Sequence, residues 1–151
     1  MGDFQEIADR VEIEALRGEF TDAAMMNDYD RIASLFTPDG VLRMPHIRVE
    51  LAGRERIRAW GERRDALVSL FIQTTHPGVI RIDGDTATGR AYIHELIGLR
   101  DGGSHLNHGV YHDRYRRTDE GWRFTERVYE IRHLDHGPPT GSAPRAAEGP
   151  R

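Results

Sequence analysis

The sequence predicts an α+β fold in which three helices from the N-terminal half cover one face of a curved, mostly antiparallel sheet and enclose a pocket. In the N-terminal half, apolar residues recur at three- and four-residue intervals, which is typical of amphipathic helices. The second half instead alternates apolar and polar residues in runs separated by short glycine-containing turns, which is typical of antiparallel strands.

The chain length and composition fit a single domain. With 151 residues, the chain can bury one proper core but not two. We expect the domain to span residues 1–136. The Gly/Pro/Ala-rich tail over residues 137–151 has too little apolar surface to order itself, so we expect it to be disordered.

Composition also excludes several classes of function. The chain has no cysteine, which rules out disulfides, thiolate nucleophiles and cysteine-ligated zinc. The net charge of -4, with acidic and basic residues mixed, gives no basic footprint for nucleic acid. No apolar run approaches the roughly 18 residues of a membrane helix, and the acidic N-terminus does not resemble a secretory signal. We therefore expect a cytoplasmic protein without nucleic-acid or membrane partners.

Three helical segments are predicted. Residues 4–26 carry an apolar stripe and should form a long amphipathic helix. Asp28 or Asp30 can cap a short helix that continues through Phe36. Gly53 opens the third helix, which should run from Arg54 to about Val68.

The first predicted strand comes after a turn at residues 38–40. A break at Pro77 and Gly78 predicts a bulged or interrupted strand. The predicted strand segments are residues 41–44, 48–51, 71–76, 79–82 and 86–100, followed by the hairpin of residues 109–129.

The hairpin carries acids among its apolar residues. If side chains alternate along its second strand, Trp122, Phe124, Glu126 and Val128 share one face. An unpaired buried charge is costly, so these acids should lie at the rim of the sheet or face a cavity. The same two positions, at the rim or facing a cavity, are open to Glu95, because it is in phase with a row of small and apolar residues on the preceding strand.

Four short motifs occur in an order that is similar to the SnoaL-like branch of the nuclear transport factor 2-like superfamily. They are Leu35–Gly40, Asp83–Ala87, Gly109-x-Tyr-x-Asp113 and Gly121–Phe124, and the resemblance covers roughly residues 5–133. It implies a cone-shaped α+β fold. Relatives include polyketide cyclases, scytalone dehydratase, lindane dehydrochlorinase, ketosteroid isomerase and limonene epoxide hydrolase, besides members that only bind partners.

The resemblance also implies a catalytic dyad. In the dehydratase-type relatives, a histidine on the strand after the third helix acts as base, and an aspartate near the end of the first helix orients it. His76 matches the histidine, but Met25 stands at the acid position. Asp22, three residues earlier, could replace the missing acid; otherwise Glu126 or Glu95 would have to serve.

The remaining site residues complete this chemistry. Proton abstraction needs a base that titrates near neutrality and a donor for the developing oxyanion. Tyr111 is our candidate for the donor. We expect Glu95, Trp122, Phe124 and Met25 to contact the substrate.

We expect neither a metal nor a cofactor. His105, His108 and His112 are close in sequence, but His105 should point away from the other two on a regular strand, and no acid is spaced to complete a site. Phosphate-cradling and dinucleotide-binding glycine motifs are also missing from the sequence.

The leading functional hypothesis is a cofactor-independent lyase or isomerase of the dehydratase or cyclase type. Its substrate would be a small, apolar, oxygenated molecule such as a polyketide or terpenoid intermediate. One alternative is an epoxide hydrolase or epoxide-opening cyclase using the same pocket. The other is a non-catalytic accessory protein that binds a small ligand, which Met25 at the acid position favours. We expect a homodimer or higher homo-oligomer.

Overall fold

The computed structural model describes residues 3–143. The helices are α1 (Phe4–Met25), α2 (Tyr29–Ser34) and α3 (Arg54–Leu67), with a 3-10 turn at Pro45–Ile47. The strands are β1 (Phe36–Met44), β2 (Val49–Ala52), β3 (Val68–Asp83), β4 (Thr86–Leu99), β5 (Ser104–Thr118) and β6 (Gly121–Asp135).

The six strands form one sheet in the order β2-β1-β6-β5-β4-β3. All neighbouring strands are antiparallel except β1 and β6, which pair in parallel. The sheet is curved and does not close on itself, and the helices cover one of its faces. The predicted α+β class and the antiparallel hairpin of residues 109–129 are confirmed.

The core lies between α1 and the covered face of the sheet, called the inner face below. Ile13, Leu16 and Phe20 project from one side of α1 and are 0–5% exposed. The Phe20 ring packs edge-on against Phe36 and Phe124 at centroid distances of 6.3 and 5.9 Å. Removing a buried ring of this kind typically costs about 3–5 kcal/mol, so this packing contributes to holding α1 on the sheet.

The sequence predicted an interruption at two places, a strand break at Pro77 and Gly78 and a turn at residues 38–40. The break at Pro77 and Gly78 is confirmed, because the β3–β4 register shifts between His76 and Val79. A Cβ at Gly78 would lie 1.9 Å from the carbonyl oxygen of Arg90, so this close approach requires glycine.

The predicted turn at residues 38–40 was wrong, since β1 runs through it. The pairing of β1 with β6 is irregular between Phe36 and Val41, so the turn-like residues are taken up within the strand. Gly40 packs closely there, and a Cβ at this position would lie 2.9 Å from that of Phe36. Helix α2 accordingly ends at Ser34 rather than at Phe36, while its predicted cap by Asp28 is present.

Beyond β6, residues 137–143 are exposed and form no helix or strand. The rest of the predicted disordered tail, residues 144–151, lies outside the described residues. Within residues 3–143, no helix is long and apolar enough to cross a membrane.

Candidate functional site

Five polar side chains meet on the inner face and form what we call the interior polar cluster. They come from four adjacent strands and are 3–5% exposed: Gln73, Glu95, Asn107, Tyr111 and Tyr129. Gln73 lies directly opposite Glu95 in the β3–β4 pair, and Glu95 lies directly opposite Asn107 in the β4–β5 pair. The register of three strands therefore places the carboxylate between two amides.

Glu95 is at the centre of the hydrogen bonds in this cluster. Its Oε2 accepts from Gln73 Nε2 at 2.8 Å. Its Oε1 accepts from Asn107 Nδ2 at 3.1 Å and from the Tyr129 hydroxyl at 3.3 Å. Gln73 Nε2 also donates to the Tyr111 hydroxyl at 3.1 Å. All of these donors are neutral, so none of them fixes the charge of the carboxyl group.

Burial therefore dominates the electrostatics of the cluster. Desolvation raises the pKa of the Glu95 carboxyl, outweighing the hydrogen bonds from Gln73, Asn107 and Tyr129 that lower it. Burial also raises the pKa values of Tyr111 and Tyr129, so both phenols keep their protons at neutral pH. The cluster combines a carboxyl group that can exchange a proton with two permanent hydroxyl donors.

One polar atom of the cluster has no partner among the described residues. With Asn107 Nδ2 donating to Glu95, the buried Asn107 Oδ1 accepts no hydrogen bond. Leaving a buried acceptor unpaired costs about 1–3 kcal/mol. This oxygen therefore has unused hydrogen-bonding capacity beside the carboxyl group.

Partly exposed side chains border the cluster. The Met25 Sδ accepts from the backbone N–H of Gln73 at 3.1 Å. The His46 ring, in the 3-10 turn, stands edge-on to the Tyr129 ring at a centroid distance of 5.3 Å. Partial burial and the neighbouring His105 lower the pKa of His46, which favours its neutral form. Phe71, two residues before Gln73 on the same face of β3, packs against the core from this border.

His76 does not join this cluster, so the expected meeting of His76 with a carboxylate inside the pocket is wrong. Gln73 is buried and Thr75 is hydrogen-bonded to Thr21 of α1, so the odd-numbered residues of this part of β3 face the helices. His76 points the other way, is exposed, and borders the His94 ring at 5.9 Å. Strand alternation alone puts it on the outer face.

The expected inward orientation of Glu126 is also wrong, because a bulge changes the phase of β6. Pairing with β5 shifts between Arg114 and Tyr115, and the inward positions change from Trp122 and Phe124 to Arg127 and Tyr129. Glu126 lies on the outer face and forms a 3.0 Å ion pair with Arg43. The assumption of unbroken alternation failed at this point.

Asp22 lies outside the interior. Its exposed carboxylate forms an ion pair with Arg31 on the next helix. Met25 does border the cluster, at the sulfur contact described above. Its contact with the substrate stays a prediction.

Trp122 and Phe124 face inward but belong to the packed core, both at 0% exposure. Trp122 Nε1 donates to Asp9 Oδ1 at 3.0 Å, and the Phe124 ring packs against Phe36 and Tyr115. Neither residue hydrogen-bonds or stacks with Glu95. The expectation that they contact the substrate therefore has no support from their positions.

The sequence interpretation missed Gln73, Asn107 and Tyr129. Asn107 had a usable signal, because it is in phase with Tyr111 on β5 and is polar in an otherwise inward row. Gln73 became recognisable only through its register opposite Glu95. Tyr129 could not be placed without knowing the bulge in β6.

Two cavities lie against the outer face. One of about 330 Å³ is lined partly by Arg114 and Glu126. The other, of about 540 Å³, is lined partly by His76, His94 and His108. Neither contains a residue of the interior polar cluster in its lining, so the cluster and the histidines belong to separate sites.

This fold, with a polar cluster beneath the helices, defines an NTF2-like domain, and residues 5–128 match the SnoaL-like domain family. The chain belongs to that family. An uncharacterized protein of Mycobacterium tuberculosis (strain H37Rv) is 27% identical over 125 residues, 82% of this chain and 85% of the relative.

Solved structures agree with this assignment. A candidate aromatic ring hydroxylase of Novosphingobium aromaticivorans superposes with a TM-score of 0.80 at 27% identity, covering 87% of this chain and 94% of that one. A hexachlorocyclohexane dehydrochlorinase superposes with a TM-score of 0.87 at 19% identity, covering 96% and 99%. The second similarity concerns the fold alone.

Proposed function

We propose that this protein is a cofactor-independent lyase or isomerase in which Glu95, rather than His76, takes and returns the proton. The observation that carries the proposal is the burial of Glu95 among neutral donors only. A raised carboxyl pKa brings the group closer to the operating pH of an acid–base catalyst.

The two tyrosines supply the complementary role. A proton removed from carbon next to a carbonyl leaves negative charge on the carbonyl oxygen, and fixed donors stabilise that charge. Tyr111 accepts from Gln73 and keeps its own proton for such a donation. In an elimination, Glu95 would remove the proton and the leaving group would depart from the neighbouring carbon.

Family membership and the partly buried apolar border support the reaction class and the kind of substrate. A SnoaL-like family, with a dehydrochlorinase among its structural neighbours, is consistent with elimination chemistry. Met25 and Phe71 would favour a small apolar molecule, with Asn107 Oδ1 accepting from a hydroxyl group on it. A dehydratase or cyclase acting on an oxygenated ring compound is the finer proposal.

The test is proton exchange at the carbon next to a carbonyl. Small cyclic β-hydroxy ketones would be incubated with the enzyme in D₂O and followed by NMR for deuterium uptake and loss of water. Glu95→Gln should lower kcat/KM by about 10²-fold or more, because general base catalysis typically contributes that much. Tyr111→Phe should lower kcat more than it raises KM.

Glu126→Gln is the matched control, since it removes the same charge from the outer face. It should leave the exchange rate unchanged. Wild-type exchange that survives in Glu95→Gln would refute the assignment of the base.

The second candidate is a non-catalytic small-ligand-binding protein. It is favoured by Met25 at the acid position that the resemblance implies and by the exposed His76 on the outer face, which together leave the implied dyad unformed. Saturable binding of the same ketones without exchange in the wild-type protein would select this candidate over the enzyme.

A further inference from the structure

Histidines from four adjacent strands meet on the outer face of the sheet, opposite the proposed active site. His94 on β4 lies directly across from His108 on β5, and His108 lies directly across from His133 on β6. His76 on β3 is diagonal to His94, because Thr74 occupies the position directly opposite. We call His76, His94, His108 and His133 the histidine row.

The rings of the row are in contact or close to it. His94 Nε2 and His108 Nδ1 are 2.6 Å apart, and their ring centroids are 4.0 Å apart. The flanking centroid distances are 5.9 Å for His76 and His94 and 5.8 Å for His108 and His133. The 540 Å³ outer cavity gives solvent and ions access to three of the four rings.

The distances between these rings are similar to the distances between imidazole rings that coordinate one metal ion. Two imidazoles bound to one tetrahedral Zn²⁺ through Zn–N bonds of about 2.1 Å have ring centroids roughly 5 Å apart. The centroid distances of the two flanking pairs, 5.9 and 5.8 Å, are larger than this value, and the distance of the central pair, 4.0 Å, is smaller. Within residues 3–143, no three groups are already arranged around a metal position, so the rings must rotate to take up an ion. They can do so because His94 is exposed and His108 only half-buried.

We propose that the histidine row binds a divalent transition metal ion such as Zn²⁺, with His94 and His108 as the central ligands and His76 or His133 as the third. Imidazole nitrogens suit Zn²⁺, Ni²⁺ and Cu²⁺, and water completes the coordination. A ligating histidine must be neutral.

The charged and polar groups around the row have two features that bear on cation binding. Partial desolvation lowers the pKa of His108, and the adjacent His94 and His133 lower it further. Arg132 also borders the cavity, but its guanidinium is paired with Glu130, which limits its repulsion of a cation. The row thus offers imidazole nitrogens from adjacent strands at one place.

The experiment titrates chelator-treated full-length protein with Zn²⁺ at pH 7.5 by calorimetry, and with Co²⁺ by visible absorption. The His94→Gln/His108→Gln double variant should bind Zn²⁺ at least about tenfold more weakly, a change of about 1.4 kcal/mol. His112→Gln is the matched control, because His112 lies on the same face but pairs with Glu130 at 3.0 Å. It should stay within about twofold of the wild type.

Two results would overturn the site. One is the absence of Zn²⁺ binding by the wild-type protein at millimolar metal. The other is equal weakening in the double variant and in His112→Gln, which would indicate adventitious binding by surface histidines. Circular dichroism of each variant establishes that it is folded, and since all substituted side chains are on the outer face, we expect unchanged spectra.

Discussion

Asp9 and Glu95 are both buried carboxylates, at 2% and 5% exposure, but their partners differ in charge. Arg117 holds Asp9 with two hydrogen bonds of 2.6 and 2.8 Å, and Trp122 Nε1 adds a third at 3.0 Å. Glu95 receives only amide and phenol donors. The hydrogen bonds from Arg117 lower the pKa of Asp9, whereas desolvation raises the pKa of Glu95.

This difference in partners separates the acids that stabilise the fold from the acid that can transfer a proton. An acid paired with arginine is fixed in its charged form and stabilises the fold. An acid among neutral donors can change its protonation state at modest cost. Asp113 is also paired with an arginine, because Arg127 lies 2.8 Å from it and both side chains are 0% exposed. The buried acids thus differ in whether an arginine donates hydrogen bonds to them.

The largest effect is expected for Asp113→Ala. The substitution leaves the Arg127 guanidinium buried without its counter-charge, and breaking such a pair typically costs about 3–5 kcal/mol. Urea denaturation at pH 7 measures the loss in the free energy of unfolding. A loss below about 1 kcal/mol would show that this ion pair is not structural.

Asp9→Asn should cost less, about 1–3 kcal/mol at pH 7, because Arg117 is partly exposed and keeps its bond to Asp85. The sign of the pH dependence follows from the lowered pKa of Asp9. Its stabilisation is complete above the unfolded-state value near 3.8 and disappears as the pH falls through the folded-state value. The gap between wild type and variant should therefore shrink in acid; a constant gap would contradict the ion-pair explanation.

Glu95→Gln should show the opposite pH dependence. Because the folded-state pKa of Glu95 is raised, the unfolded chain loses this proton first, and the wild type loses stability as the pH rises above 4.5 through the folded-state value. The stability of the variant relative to the wild type should accordingly improve between pH 4.5 and pH 8. Denaturant titrations at both pH values measure the free energy of unfolding of the variant and the wild type. A lower stability of the variant relative to the wild type at pH 8 than at pH 4.5 would indicate that Glu95 is charged and stabilising.

The smallest effect is expected for Glu126→Gln, within about 1 kcal/mol, because partly exposed ion pairs contribute little. High salt should remove most of the remaining difference in the free energy of unfolding between this variant and the wild type. A larger, salt-resistant loss would mean that Glu126 has a buried role that its position does not suggest.

The fold could be predicted from the sequence because its long elements carry strong patterns. The stripe on α1 and the alternation in β4 to β6 each extend over many residues, so single errors did not change the fold. Family motifs also fix the order of the elements.

The site was harder to predict because it depends on strand register and on one bulge. A single extra residue in β6 exchanged Glu126 for Arg127 and Tyr129 on the inner face. The placement of His76 relied on family position, whereas alternation from Gln73 would have put it outside. Glu95 was found because it is in phase with a row of small and apolar residues.

The central claim is that Glu95 is a buried carboxyl group poised for proton transfer, and an NMR titration tests it most directly. Protein labelled with ¹³C at the glutamate carboxyls would be titrated, with the Glu95 signal assigned by its loss in Glu95→Gln. Its pKa should lie clearly above the ordinary value of 4.5. A midpoint at or below 4.5 would contradict the claim.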